Sequence, residues 1–162
     1  MEVALIASNN EDAGVLSMAN SHHIPTFLID RENFKESTEF LEYLEEFEID
    51  LIVLAGFLWL IPEAMVKAFD WRIINIHPSL LPKFGGKGMY GQKVHQAVSA
   101  AGELETGISI HFVNQNYDEG KVILQEKISI TPGDDPKNIA AQVLKLEHHH
   151  YPRTIEKVLA SL

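Results

Sequence analysis

One unbroken apolar run constrains the fold of this chain more than any other feature. Residues 51–55 follow Asp50, contain no polar side chain and are ended by Gly56. Continuous apolar runs of this length are typical of parallel strands that are buried on both faces of a sheet. Such strands occur in domains whose helices cover the sheet. The run therefore predicts an α/β domain built on a parallel sheet.

The segments around this run alternate between strand and helix. We predict further strands at residues 3–7, 26–29, 71–76, 107–113 and 121–130. We predict helices from Asp12 to about Ser21, after an N-cap at Asn33, and at residues 62–69, 92–100 and 136–162. The last two strands have no helix between them, so an antiparallel addition is expected. The prediction is one domain, residues 1–162, with an open, mostly parallel, Rossmann-like sheet and an antiparallel C-terminal addition.

The composition of the chain limits where the protein can be located and which kinds of partner it can bind. The chain has 162 residues, 46% of them hydrophobic, no cysteine and a formal net charge of -10. Nucleic-acid-binding domains usually present a basic face, so no nucleic-acid partner is expected. No apolar run approaches the roughly 20 residues that span a bilayer, and the first residues lack the basic region and cleavage site of a signal peptide. We therefore expect a cytoplasmic protein with no membrane partner.

Two polar residues lie where a predicted strand ends, and a third lies in a distant turn. Asn75 and His77 are two residues apart, so an extended segment projects them to the same side. An amide donor beside an imidazole can stabilise an oxyanion and transfer a proton. Asp118 precedes Gly120 in a polar turn, where a carboxylate near a histidine would raise the histidine pKa. Spacing alone leaves a structural role open for all three residues.

Two other features suggest ligands less strongly. His148, His149 and His150 are consecutive, and adjacent residues on a helix point in different directions, so no metal site is predicted. The glycines at 85, 86 and 88 do not have the spacing of a dinucleotide-binding fingerprint. We interpret the loop of residues 78–91 as a mobile functional loop rather than a phosphate cradle.

Four segments in this order resemble the formyltransferase family: residues 54–57, 74–83, 107–113 and 118–125. The most specific is Asn-Ile-His-Pro-Ser-Leu-Leu-Pro, which begins at Asn75. The resemblance covers nearly the whole chain, from Val3 to the last helix. It implies a formyltransferase fold of Rossmann-like type.

The resemblance also implies a reaction and its residues. Members of the family pass a formyl group from the co-substrate 10-formyltetrahydrofolate to an amine, here that of glycinamide ribonucleotide in purine biosynthesis, without a metal. His77 would donate the proton, Asn75 would stabilise the oxyanion, and Asp118 would raise the pKa of His77. The implied folate-binding residues are Leu58, Trp59, Leu60, Ile61, Asn75, Asn114, Gln115, Asn116 and Tyr117. The implied binding residues for the ribonucleotide are Gly56, Phe57 and Glu147, and Lys35 is implied near the folate tail.

One departure from the family pattern concerns the beginning of the chain. Members begin with a strand and a Gly-Ser-Gly-type loop that holds the substrate phosphate, and Val3 to Ser8 match the second strand of that pattern. We therefore expect an N-terminally truncated domain with unpaired strand edges and weak binding of the ribonucleotide. Alternatives are a folate-binding but inactive remnant and a 10-formyltetrahydrofolate hydrolase-like enzyme. A homodimer is a further open expectation.

Overall fold

The protein is described here by a computed structural model that covers residues 1–162. Its strands are β1 (Ile6–Ser8), β2 (Thr26–Leu28), β3 (Ile52–Leu54), β4 (Ile73–His77), β5 (Glu105–Phe112) and β6 (Val122–Ser129). Its helices are α1 (Gly14–Ser21), α2 (Arg31–Glu36), α3 (Thr38–Glu46), α4 (Glu63–Ala68), α5 (Gln92–Ala100) and α6 (Pro136–Leu159). None of the six helices combines the length with the apolar composition that a membrane span requires.

The strands form two sheets. β1 and β2 pair in parallel, and a second sheet has the order β3-β4-β5-β6. In the second sheet β3 and β4 are parallel, whereas β5 is antiparallel to both of its neighbours. The predicted α/β class with an antiparallel C-terminal addition is confirmed. β1 and β3 each make ladder hydrogen bonds on one side only.

β4 separates two apolar cores. Adjacent residues of a strand point to opposite faces, so Ile73 and Ile74 enter different clusters. Ile74 packs with residues of β5, α5 and α6, among them Val94, Ile108 and Val143. The other cluster joins Ile73 to residues of α2, α3 and α4, namely Phe34, Phe40, Leu44 and Met65, with Ile29, Ile61 and Phe69. A strand fixed on both faces holds its carboxyl end rigidly.

The second predicted helix begins earlier than expected and is interrupted. The carboxylate of Asp30 caps α2, because it accepts hydrogen bonds from the backbone N–H groups of Glu32 and Asn33 at 3.0 and 3.1 Å. The prediction that Asn33 is the cap is therefore wrong. Ser37, with φ 60°, ends α2 and precedes α3. Its conformation turns α3 so that Phe40 and Leu44 reach the core.

Candidate active site

The end of β4 carries two of the sequence-predicted residues. Asn75 lies opposite Leu54 of β3 and His111 of β5, and His77 lies opposite Ser109 of β5. Because β4 has a partner on each side, neither residue can shift along the strand without breaking a ladder. His77 is only 4% exposed. The site therefore begins from a rigid strand end.

The imidazole of His77 has one nitrogen committed to the backbone. Nε2 lies 2.8 Å from the carbonyl oxygen of Phe84, which can only accept, so Nε2–H is the donor. Nδ1 lies 3.5 Å from Oδ2 of Asp118, longer than a direct hydrogen bond. In the neutral ring Nδ1 carries a lone pair. A proton gained at Nδ1 would lie beside Asp118.

Asp118 joins three parts of the site. It adopts φ 58° in the turn between β5 and β6, and its side chain is 11% exposed. Oδ2 accepts a hydrogen bond from the backbone N–H of Gly86 at 2.9 Å, and Oδ1 lies 3.6 Å from Nε2 of His111. One carboxylate therefore contacts His77, His111 and the glycine-rich loop.

Gly120 lets this turn fold back against β5. A Cβ atom at this position would lie 1.7 Å from the carbonyl oxygen of Phe112 and 3.5 Å from Nδ1 of His111. Any larger residue would push the turn away from the strand. The position of Asp118 thus depends on a glycine two residues later.

His111 orients the amide of Asn75. Its Nδ1–H donates to the carbonyl oxygen of Phe112 at 2.8 Å, which leaves Nε2 as an acceptor in the neutral ring. Nδ2 of Asn75 lies 3.3 Å from that nitrogen and donates to it. The hydrogen bond sets which end of the amide faces β5. Sequence reasoning did not select His111, although a histidine inside an apolar strand that ends at the same sheet edge is a usable signal.

Burial and neighbouring charges have opposite effects on the pKa values of His77 and Asp118. Burial lowers the pKa of His77, the charge of Asp118 and the Phe84 carbonyl raise it, and the net pKa lies below the ordinary value. Burial raises the pKa of Asp118, but the His77 charge and the Gly86 N–H oppose that rise, and the net pKa lies below the ordinary value. Asp118 is therefore a buried anion beside a histidine that is mostly neutral and able to take a proton.

Ser109 and Gln125 anchor the start of the loop that follows β4. The hydroxyl of Ser109 donates to the carbonyl of Ser79 at 2.6 Å and accepts from the N–H of Leu81 at 2.9 Å. The side-chain amide of Gln125 donates to the carbonyl of Leu81 at 2.8 Å. These hydrogen bonds hold residues 79–81 against β5, so the position of the start of the loop is fixed relative to the sheet.

Two adjoining cavities contain every sequence-predicted site residue. The larger has a volume of about 940 Å³, within the range of small-molecule sites. The smaller, of about 510 Å³, shares Trp59, Leu60, Ile61 and Tyr117 with it. The larger cavity is bordered by the remaining predicted residues except Gln115, namely Gly56, Phe57, Leu58, Asn75, His77, Asn114, Asn116, Asp118 and Glu147. Gln115 borders the smaller cavity with Arg31 and Lys35.

Glu147 is a half-buried carboxylate on α6. Burial raises its pKa, and the charge of His148 offsets part of that rise. One turn later, Tyr151 donates its hydroxyl hydrogen to the carbonyl of Leu54 at 2.7 Å, with the carbonyl of Ile74 at 3.3 Å. Tyr151, which sequence reasoning did not select, ties α6 to β3 and β4. Glu147 is thereby held above the strand ends.

The buried histidines predict acid sensitivity of the fold. Burial lowers the pKa of His77 and of His95, so below the ordinary value of 6.5 the unfolded chain binds more protons than the folded chain. The free energy of unfolding should then fall as the pH drops from about 6.5 toward the pKa values that the histidines have in the folded protein. The fall is up to about 1.4 kcal/mol per pH unit for each histidine. Glu147, with its raised pKa, acts in the opposite direction at lower pH. Urea unfolding between about pH 7.5 and 5.5 measures the slope, which His95→Phe should reduce. A flat profile would contradict this prediction.

Comparison with known proteins identifies the family pattern over most of the chain. The formyl transferase family model matches residues 1–155. A chloroplastic phosphoribosylglycinamide formyltransferase of Arabidopsis thaliana is 40% identical over 95% of this chain and 54% of its own length. The chain thus spans about half of that plant relative.

Bacterial relatives match over more of their length. The phosphoribosylglycinamide formyltransferase of Bacillus subtilis is 36% identical over 96% of this chain and 80% of its own length. The crystal structure of the enzyme of that name from Bacillus halodurans superposes with a TM-score of 0.88 and 34% identity. That superposition covers 98% of this chain and 81% of the other. Sequence and fold therefore agree on one family.

Proposed function

The chain belongs to the formyl transferase family, and we propose that it transfers the formyl group of 10-formyltetrahydrofolate to the amine of glycinamide ribonucleotide. The observation that carries the proposal is the convergence of Asn75, His77 and Asp118 on one cavity. The relatives that carry this activity in their names support it. The folate, when bound, supplies the activated formyl group that the amine attacks.

His77 is the proposed general acid. Its Nε2–H stays with the Phe84 carbonyl, so the exchangeable proton is the one at Nδ1. Nδ1 lies 3.5 Å from Asp118, and His77 borders the larger cavity. A proton at Nδ1 can polarise the formyl oxygen as the amine attacks the formyl carbon, and it can then pass to N10 of tetrahydrofolate, which leaves as the bond from N10 to the formyl carbon breaks. Because the pKa of His77 is lowered, chiefly by burial, the protonated ring is a stronger acid than an ordinary imidazolium.

Asn75 and Asp118 support this proton transfer. The Asn75 amide, oriented by His111, donates to the negative charge that develops on the formyl oxygen. The Asp118 anion stabilises the protonated form of His77 across 3.5 Å, and its bond to the Gly86 N–H holds the loop over the site. Glu147, on the α6 wall of the cavity, is the proposed carboxylate that binds the ribonucleotide beside its amine.

The folate is proposed to lie along both cavities. The larger cavity takes the pteridine between the segments 58–61 and 114–117, and the smaller cavity takes the opposite end of the molecule. The smaller cavity is bordered by Arg31 and Lys35, the cations needed by the carboxylates of a glutamate tail. The Arg31 guanidinium also lies 5.7 Å from the centre of the Trp59 ring.

Arg31→Ala should reduce affinity for a formylfolate that carries a long glutamate tail. Both cations are exposed, so each contact is worth at most about 1 kcal/mol, or roughly fivefold in Kd. The monoglutamate form should lose less than about twofold, and the difference should shrink at high salt. Titration calorimetry of both forms measures this, with Lys127→Ala as the control because Lys127, on β6, pairs with Glu105 of β5 and borders neither cavity. Equal losses for both tail lengths would remove Arg31 from the tail site.

A formyl-transfer assay tests the proposed function directly. Glycinamide ribonucleotide and 10-formyltetrahydrofolate are supplied together, and the rate at which formylated ribonucleotide appears is measured. A control reaction contains 10-formyltetrahydrofolate alone, and its release of formate is measured. Product that requires the ribonucleotide supports the proposal. Release of formate without the ribonucleotide favours the hydrolase-like alternative, and folate binding without either product favours the inactive remnant.

Three expectations about the setting of the protein stay predictions. They are a cytoplasmic location, the absence of a nucleic-acid partner and a homodimer. Sedimentation of the purified chain measures the last of these. The formyl-transfer proposal does not depend on them, because all of the residues invoked belong to one chain.

A further inference from the structure

His95 is a buried histidine that the proposed chemistry leaves without a role. It lies on α5 between the core residues Val94 and Val98, and it is 5% exposed. An apolar side chain would suit that helix face better, because burying a polar ring without a partner costs free energy. The ring borders the larger cavity together with His77 and Glu147.

The hydrogen-bonding capacity of this ring is unused. Nδ1 of His95 is buried and has no partner in the structure. Burial lowers the pKa of His95, and the nearby charge of His77 lowers it further, so the ring is neutral at neutral pH. A neutral imidazole has one N–H donor and one acceptor nitrogen. Neither nitrogen of His95 makes a hydrogen bond, and Nε2, unlike Nδ1, is not among the fully buried atoms, so Nε2 is the nitrogen open to a ligand.

The tautomer of His95 follows from its surroundings. A buried N–H without an acceptor is rarer in proteins than an acceptor without a donor. The buried Nδ1 therefore carries the lone pair, and Nε2 carries the hydrogen. Because His95 borders the cavity, Nε2–H is the group left to meet a ligand there. That ligand atom must be a hydrogen-bond acceptor.

The position of α5 indicates which substrate supplies this acceptor. α5 packs against α6, which carries Glu147, through Val98, Ile139 and Val143. The proposed folate segments lie instead after β3 and in the turn between β5 and β6. His95 therefore stands on the same wall as the carboxylate assigned to the ribonucleotide.

We propose that Nε2–H of His95 donates a hydrogen bond to an oxygen of the ribonucleotide substrate and so positions its amine at the formyl group. This inference rests on the proposed function. It assigns His95 to substrate positioning rather than to proton transfer, because a neutral ring of low basicity is a donor that does not change its charge during the reaction.

The test compares His95→Phe with His95→Gln. Phenylalanine keeps the ring shape and removes both nitrogens, whereas glutamine keeps a neutral donor. We expect His95→Phe to raise KM for glycinamide ribonucleotide about tenfold, the effect of one lost hydrogen bond. KM for formyltetrahydrofolate should stay within about twofold, Tm should be unchanged or higher, and His95→Gln should recover most of the lost affinity.

A purely structural histidine would give a different pattern. His95→Phe would then lower Tm and leave KM for the ribonucleotide unchanged, or it would raise both KM values together. Either result overturns the proposal. Nitrogen NMR of the unmodified protein supplies a measurement that does not depend on the variant folding. Ribonucleotide should shift the Nε2 signal of His95, identified by its loss in His95→Gln, and an unshifted signal also overturns it.

Failure of the proposed function can be told apart from failure of this inference. If the unmodified chain transfers no formyl group but binds the ribonucleotide in calorimetry, the function fails. Weaker binding by His95→Phe than by the unmodified chain then still supports the contact. Equal binding by both, or no binding by the unmodified chain, overturns it.

Discussion

His77→Ala should lower kcat for formyl transfer by about 100-fold or more, the scale expected for loss of a general acid. The change removes the Nδ1 atom that lies beside Asp118, on a residue that borders the larger cavity. Because the loss falls on the chemical step, KM for both substrates should change much less than kcat. Steady-state kinetics with each substrate varied in turn separates the two effects.

The same substitution also removes a hydrogen bond to the Phe84 carbonyl, so loosening of the loop must be separated from loss of the acid. Loosening alone would raise the KM values and lower Tm while kcat stayed near normal. His22→Ala is the matched control, because His22 is exposed at the end of α1, away from the cavities. Near-normal kcat in His77→Ala would remove His77 from its proposed role.

Local patterns in the sequence predict most of the elements that carry the site. The helix predicted at residues 92–100 is α5 within the same bounds, because a glycine-rich loop precedes it and a glycine follows Ala101. The apolar run at 51–55 contains β3. Spacing alone placed Asn75 and His77 on one side of β4. These features depend on residues that are close in the chain.

Features that depend on distant residues were predicted less well. Nothing near Ser37 indicates that its backbone takes φ 60° and divides one predicted helix into two. His111 meets Asn75 across 36 residues, and the Tyr151 hydroxyl meets β3 across 97 residues. Asp118 was linked to His77 only through the family resemblance. A pattern within one segment carries no information about which residues, far apart in the chain, meet in the fold.

Asp118→Asn should lower kcat by about 100-fold, the lower end of the range for general acid–base catalysis, and move the pH dependence of the remaining activity. The Asp118 charge raises the pKa of His77 against burial, so its removal lowers that pKa further. Activity that requires protonated His77 will then be lost at a lower pH than in the unmodified protein. The side chain of asparagine can still accept from the Gly86 N–H, and asparagine tolerates φ 58°. The turn should therefore keep its shape.

A profile of kcat against pH decides whether Asp118 acts on His77 or only holds the loop. Loss of the loop contact alone would lower kcat by the same factor at every pH, with the midpoint unchanged. A shifted midpoint requires that the charge reaches His77 across the 3.5 Å gap. Asp70→Asn removes the same charge from an exposed position before β4 and should leave both kcat and the midpoint unaltered. If Asp118→Asn keeps the midpoint of the unmodified protein, the carboxylate does not stabilise the acid, and a loop-holding role is what is left for Asp118.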